Sequence, residues 1–266
     1  MLIKINGIDL DYRDHGTGIP LVFLHAFPLH QQMWDDQLDI LQNYCRTISI
    51  DFRGFGRSGG SEVPVSMEQM AADVREFLTA VGIHRVILVG LSMGGYVSLA
   101  FYRMYRETLR AIVLADTRAS ADKPDARERR HLFADKVERE GVSVITDEMV
   151  AALLGKTSIA SRPAVVQRVR TMIESNSPAG IAGAQRAMAA RRDSTDLLSD
   201  MDLPVLVIAG AEDNLTPVAE ADSMRQAIKG ARFKVIEEAG HLSNLERPDE
   251  FNDALLEFIE SLKGEE

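Results

Sequence analysis

Cysteine is nearly absent from this 266-residue chain, with Cys45 the only one. No internal disulfide can form, so the fold must rest on apolar burial. Cys45 reads as a small core residue of a protein in a reducing compartment. Long apolar runs are missing too, which excludes a bilayer-spanning helix. No basic segment leads into an apolar one near Met1, so a secretory signal is not expected and a soluble cytoplasmic protein is. A basic balance is also lacking. The formal net charge is −10, which argues against a nucleic-acid binder. Neither low-complexity tracts nor repeats of solenoid length occur.

What is present is ordinary for a globular chain: 45% hydrophobic and 26% charged residues. The length suits one domain with a large core, or a core carrying a modest insertion. Charge is unevenly spread. Residues 118–192 hold 14 Lys and Arg against 9 Asp and Glu, a net +5, which leaves −15 on the remainder. Solvated helix faces account for such a segment, and focusing of an anionic substrate is the sharper alternative.

The chain opens with alternating runs, Leu2 to Ile5 and Ile8 to Tyr12, around Asn6-Gly7, a type I′ hairpin signal. Short continuous apolar runs follow at 21–24, 47–50, 86–89, 111–114, 205–208 and 233–236, as buried parallel strands require. Ser66 to Val81 has helical apolar spacing, with Ser66 and Gln69 as a capping box and Gly82 as the stop. Pro248 opens a last amphipathic helix. The rhythm predicts a mainly parallel, twisted sheet with helices on both faces. About 85 residues between Asp116 and Val205 break it, with helix starts near Pro124, Pro163 and Pro178; they read as a helical cap over the sheet's C-terminal edge.

The run Val86–Val89 leads into Gly90-Leu91-Ser92-Met93-Gly94-Gly95, with helix-compatible sequence after it. This is G-x-S-x-G in a strand–turn–helix setting. The tight turn lifts the Ser92 hydroxyl above the sheet at a helix N-terminus, and side chains at Gly90 or Gly94 would collide with their neighbours. A nucleophilic serine needs donors for the oxyanion. The Met93 N–H is one, and the Phe27 N–H, in the loop His25-Ala26-Phe27-Pro28 after an earlier strand, is the candidate second. His25 reads as a residue bracing that loop.

A base and an acid are also needed. His241, in Gly240-His241-Leu242 after the last strand, is the candidate base; His131, in an Arg- and Glu-rich segment, reads as solvated. Asp213 is the preferred acid from position and chain order, with Asp116 the contender and adjacent Glu212 ranked lower. Gly54-Phe55-Gly56-Arg57-Ser58-Gly59 matches G-x-G-x-x-G, but residues 60–64 separate it from the next helix, so a pyrophosphate would find no helix N-terminus. Its glycines read as loop-shaping, with Asp51 and Arg53 holding the loop.

Taken in order, these segments resemble the α/β-hydrolase superfamily over nearly the whole chain: His25 to Pro28, Asp51 to Ser58, Gly90 to Gly95, Asp213 with Thr216-Pro217, and Gly240-His241. Within it the chain looks most like the 3-oxoadipate enol-lactonase and carboxylesterase group. Pro178-Ala179-Gly180, with Ala187 and Asp196, resembles that group's last cap helix. Ala26 stands where glycine is usual and Ile181 where an aromatic is common. The cofactor-free haloperoxidase and perhydrolase group shares the His-x-Phe-Pro start and the Ser-Met-Gly turn. A haloalkane dehalogenase needs aspartate where Ser92 stands.

The resemblance implies an α/β-hydrolase core at 1–117 and 197–266 and a cap at 118–196. It implies hydrolysis of small carboxylic esters or lactones through an acyl-enzyme, without metal or organic cofactor. Haloperoxidase- or perhydrolase-like activity is the alternative, as is a weakly catalytic ligand-binding protein on the same fold. Arginines of the cap are candidate partners for a substrate carboxylate. The expected partner is a small molecule, and oligomeric state is left open.

Overall fold

The computed structural model describes residues 1–60 and 65–262. Strands β1 (Leu2–Ile5) and β2 (Ile8–His15) form the expected antiparallel hairpin, with Asn6 and Gly7 both at positive φ, 42° and 78°. Next come β3 (Pro20–Leu24), a 3-10 turn at Gln31–Trp34, α1 (Asp35–Leu41) and β4 (Arg46–Ile50). Then follow α2 (Met67–Ala80), β5 (Val86–Leu91), α3 (Met93–Tyr105) and β6 (Leu109–Ala115). Helix α2 is half of the expected capping box. The Ser66 hydroxyl accepts the Gln69 N–H at 3.0 Å, but the Gln69 amide donates to Asp73 instead of turning back.

Six helices fill the interval after β6: α4 (Pro124–Glu140), α5 (Ser143–Leu153), α6 (Lys156–Ser161), α7 (Pro163–Glu174), α8 (Pro178–Ala190) and α9 (Thr195–Leu198). Three start at the expected prolines, each in the first turn, where the missing N–H costs nothing. The chain then returns through β7 (Val205–Gly210), α10 (Val218–Ala227), β8 (Arg232–Ile236), α11 (Ser243–Glu246) and α12 (Pro248–Ser261).

The sheet order is β1-β2-β4-β3-β5-β6-β7-β8, antiparallel through β1, β2 and β4 and parallel from there on. Its central strands are buried on both faces, which is why they read as unbroken apolar runs rather than alternating ones. Helices α1, α11 and α12 pack together, as do α2 and α3. Trp34 lies between Phe23 of β3 and Phe251 of α12, and Tyr12 of β2 meets Phe77 of α2 edge-on. The chain steps from β3 outward to β4 and then crosses back past β3 to β5 on its other side, so the strand order reverses there. Open α/β sheets form a crevice at such a reversal, beyond the strands' carboxyl ends.

Cys45 is buried just before β4, and its thiol donates to the Leu41 carbonyl. The glycine-rich loop is held as expected. Asp51 accepts the N–H groups of Gln31 and Arg57 at 2.7 and 3.0 Å, and Arg53 is paired in the interior with Asp73 of α2. Residues 61–64 of that connection, and 263–266, lie outside the described residues. Among the described residues, no helix is long and apolar enough to cross a membrane, and no group of three or more His, Cys, Asp or Glu could hold a metal ion.

Candidate active site

Ser92 lies between β5 and α3 at φ 56° and ψ −110°, a conformation that costs on the order of 1–3 kcal/mol and is held only by its surroundings. Those surroundings are tight. A Cβ on Gly90 would lie 2.4 Å from the Gly94 carbonyl oxygen, and one on Gly94 would lie 2.1 Å from the Leu24 carbonyl oxygen of β3. The Ser92 N–H donates to Ala115 at 2.9 Å, and its carbonyl accepts the Thr117 hydroxyl at 2.8 Å. The side chain is thereby raised at the start of α3, in the crevice between β3 and β5.

Three sequence candidates meet there. The Ser92 hydroxyl donates to His241 Nε2 at 2.7 Å, and His241 Nδ1 lies 2.7 Å from Asp213 Oδ2. The carboxylate requires the proton on Nδ1, which leaves Nε2 as the acceptor. Asp213 is itself fixed by its turn. One oxygen accepts the N–H groups of Leu215 and Thr216 at 2.8 and 3.0 Å, and the other accepts the Thr216 hydroxyl at 2.6 Å. Burial raises Asp213, but His241 and these hydrogen bonds outweigh it and hold the carboxyl below its ordinary range. Burial likewise lowers His241, yet the Asp213 charge and hydrogen bond prevail and the imidazole ends above its ordinary value.

The other candidates are placed elsewhere. Asp116 sits at φ 44°, accepts the Gly210 N–H at 2.7 Å, and accepts a hydrogen bond from the Ser243 hydroxyl rather than from His241. Burial and the nearby Asp213 charge push it up to about 8, so it stays neutral beside the ionised acid. Glu212 turns away and binds Thr157 through both N–H and hydroxyl, at 2.9 and 2.6 Å. His25 is fully buried and lowered to about 3 by burial; its Nε2 accepts the Phe52 N–H at 3.0 Å, which braces the loop. His131 is exposed on α4.

Phe27 and Ser92, with Met93 next in the chain, mark one wall of a cavity of about 330 Å³ that also reaches Thr216 and His241. Its far wall comes from the insertion: Phe133, Met149, Leu153 and Met188 are apolar, while Arg118, Arg129 and Arg130 carry positive charge against Asp122 and Glu148. Asp122, whose side chain is wholly buried, receives Arg118, Arg130 and Arg191 at 2.6, 2.5 and 2.8 Å. Burial works against the charged carboxyl, but Arg191 and Arg130 bring Asp122 down to about 2. Three guanidiniums around one carboxylate leave local positive charge beside the cavity. Sequence reading missed this cluster because Arg118 and Asp122 look like a surface i,i+4 pair. It also gave Thr216 no role, although an Asp followed three residues later by Thr is a turn in which the hydroxyl returns to the carboxylate.

Residues 19–248 match the α/β-hydrolase fold family. The chain is 28% identical over 235 residues to 3-oxoadipate enol-lactonase 2 of Acinetobacter baylyi, covering 88% of this chain and 86% of that one. It is 28% identical to a putative non-heme chloroperoxidase of a Synechocystis species, covering 95% of each. A thermophilic esterase from Thermogutta terrifontis, solved with malate bound, superposes with a TM-score of 0.95 at 39% identity, over 98% of this chain and 97% of that one. From the matched span and the shared architecture, the chain belongs to the α/β-hydrolase fold family.

Proposed function

We propose that the protein is a serine hydrolase that cleaves small carboxylic esters or lactones through an acyl-enzyme. The observation that carries this reading is the continuous hydrogen-bonded line from Ser92 through His241 to Asp213. Ser92 Oγ attacks the carbonyl carbon as its proton passes to His241 Nε2, and Asp213 supports the imidazolium without taking its proton. The carbonyl oxygen becomes the oxyanion and receives the N–H groups of Phe27 and Met93. Collapse breaks the ester C–O bond, and His241 returns the proton to the leaving alkoxide. Water then repeats the sequence with His241 as base and frees the acid.

Two supports bear on the substrate. The 118–196 insertion acts as a cap whose Phe133, Met149, Leu153 and Met188 favour an apolar acyl or alcohol group. Arg118 and Arg130 beside them favour a substrate that also carries a carboxylate. The similar Thermogutta terrifontis esterase holds malate, a dicarboxylate. A second reading follows from the chloroperoxidase relative: hydrogen peroxide in place of water would release a peracid from the same acyl-enzyme.

The test is steady-state hydrolysis of p-nitrophenyl esters from acetate to octanoate, with Ser92→Ala alongside. Turnover should fall by at least about 10³-fold in the variant, and kcat/KM of the wild type should lose its activity toward acid with an apparent pKa above 6.5, because the base must be neutral. Equal turnover by Ser92→Ala would sink the assignment.

A further inference from the structure

Glu246 ends the short α11, faces no part of the cavity, and is wholly buried. A carboxylate in that position needs donors, and both of its oxygens have one. Oε1 accepts the Gly240 N–H at 2.8 Å and Oε2 accepts the Gly155 N–H at 2.9 Å. Gly240 immediately precedes His241, whereas Gly155 lies between α5 and α6 in the insertion. The next N–H along, that of His241 itself, donates to the Leu153 carbonyl at 3.0 Å. Two consecutive peptide N–H groups leading to His241 are therefore fixed, one by Glu246 and one by the insertion.

The backbones are pressed together at this point. A Cβ on Gly240 would lie 2.3 Å from the Gly155 nitrogen, and one on Gly155 would lie 2.8 Å from the Gly240 nitrogen. Two residues on, Thr157 is bound by Glu212, whose own N–H donates to Ala239 at 2.8 Å. The corner 153–157 of the insertion and the loop 239–241 form one hydrogen-bonded unit.

We propose that Glu246 is a positioning residue that ties the placement of His241 to the seating of the α5–α6 corner. It touches neither substrate nor the reacting atoms; it sets where the imidazole stands through the Gly240 peptide, and it sets where the insertion stands through Gly155. The proposal rests on reading His241 as the base. Loss of either N–H contact lets the Gly240 peptide turn, and small displacements of a reacting group are costly, with about 1 Å worth as much as 100-fold in rate.

Three variants test this, read against p-nitrophenyl acetate with Ser92→Ala run in parallel. Glu246→Gln offers one acceptor and one amide donor, so one N–H faces another donor. It should lower kcat by about 10-fold or more with KM within about twofold. The groups facing His241 are Ser92 and Thr216, the Asp213 and Asp116 carboxyls, and Glu246. Removing the Glu246 charge should also lower the acid-limb pKa of kcat/KM. Glu246→Asp keeps the charge but shortens the reach; it should lose kcat while holding the wild-type acid limb. Gly155→Ala leaves Glu246 intact and drives a methyl against Glu212 Oε2 and the Gly240 nitrogen, 2.6 and 2.8 Å from the added Cβ, and should repeat the kcat loss. Asp73→Asn, which breaks a buried ion pair away from the site, is the comparison: it should lower Tm and leave kcat and the acid limb alone.

If Ser92→Ala retained turnover, the reading of the site itself would be wrong. If Ser92→Ala were inactive while Glu246→Gln and Gly155→Ala kept wild-type kcat and acid limb, losing only Tm, the positioning proposal would be overturned. Should Glu246→Gln not fold, Gly155→Ala and Glu246→Asp decide the matter by the same kcat readout.

Discussion

Two buried ionisable residues near the site pull stability in opposite directions with pH. Asp116 keeps its proton in the fold up to about pH 8, against 3.8 for an ordinary aspartic acid. The native state therefore binds the extra proton between those values. Its stabilising contribution is full below about pH 4 and is lost as pH rises through 8. His25 does the reverse. It stays neutral down to about pH 3, whereas the unfolded chain takes up a proton below 6.5, so its contribution is present above 6.5 and is lost as pH falls toward 3. Each slope is on the order of 1 kcal/mol per pH unit. Asparagine at 116 is uncharged like the protonated acid, and its oxygen can still accept from the Gly210 N–H. Urea unfolding of Asp116→Asn and wild type at pH 5 and pH 8 should show the variant gaining relative stability as pH rises. A pH-independent difference would mean that Asp116 ionises freely in the fold.

The arrangement also clarifies why two aspartates near one histidine do not compete. Asp213 is held charged by Thr216 and His241, while Asp116 is held neutral by burial and by Asp213 itself. The imidazole hydrogen-bonds to one of the two aspartates, Asp213. Sequence position alone made both plausible; turn hydrogen bonds and burial separate them.

The element that fixes Ser92 is the β5–α3 turn, and its tolerance is small. In Gly94→Ala the new methyl would meet the Leu24 carbonyl of β3, a backbone atom that can move only with its strand. The expected cost is about 2–3 kcal/mol, with lower kcat, since α3 must lift away from β3. Thermal unfolding and ester turnover check this, and an unchanged Tm would contradict the packing described.

Most elements were legible in the sequence because their signals are local. Strands β5 and β7 are unbroken apolar runs, and α4, α7 and α8 each begin at a proline. Helices α5 and α6 were not legible. Helix α5 opens with no capping side chain, and α6 has only six residues after Gly155. What holds α6 is distant in sequence: Glu212 on Thr157 and Glu246 on Gly155, 55 and 91 residues away. Glu246 itself, in Ser243-Asn244-Leu245-Glu246, carries no sign of burial. Only the fold brings it under Gly240.

At the scale of the whole molecule, the insertion meets the core on both sides of Ser92. Asn176, between α7 and α8, donates to the Pro28 carbonyl and accepts the Gly56 N–H, both at 2.8 Å, next to the Phe27 loop. Leu153 and Gly155 hold the His241 side. The positive balance of residues 118–192 resolves into two kinds of arginine. Arg129, Arg170 and Arg186 make ion pairs with carboxylates that are themselves largely exposed, and such pairs contribute little. Arg118 and Arg130, which line the cavity as Arg129 does, are instead anchored by the buried Asp122. An ester bearing a carboxylate should therefore exceed its neutral analogue in kcat/KM by about 10-fold, and Arg130→Gln should erase most of the gap. Equal kcat/KM for the pair would remove the carboxylate from the substrate description.

In the proposed mechanism Ser92 carries the acyl group between two half-reactions. The direct measurement is rapid mixing with a p-nitrophenyl ester of a bulky, slowly released acyl group, followed by mass analysis of the peptide containing Ser92. A burst of p-nitrophenol close to one per active site and one acyl mass on that peptide are expected, both absent in Ser92→Ala. Turnover with no burst and no adduct on Ser92, from folded protein, would contradict it.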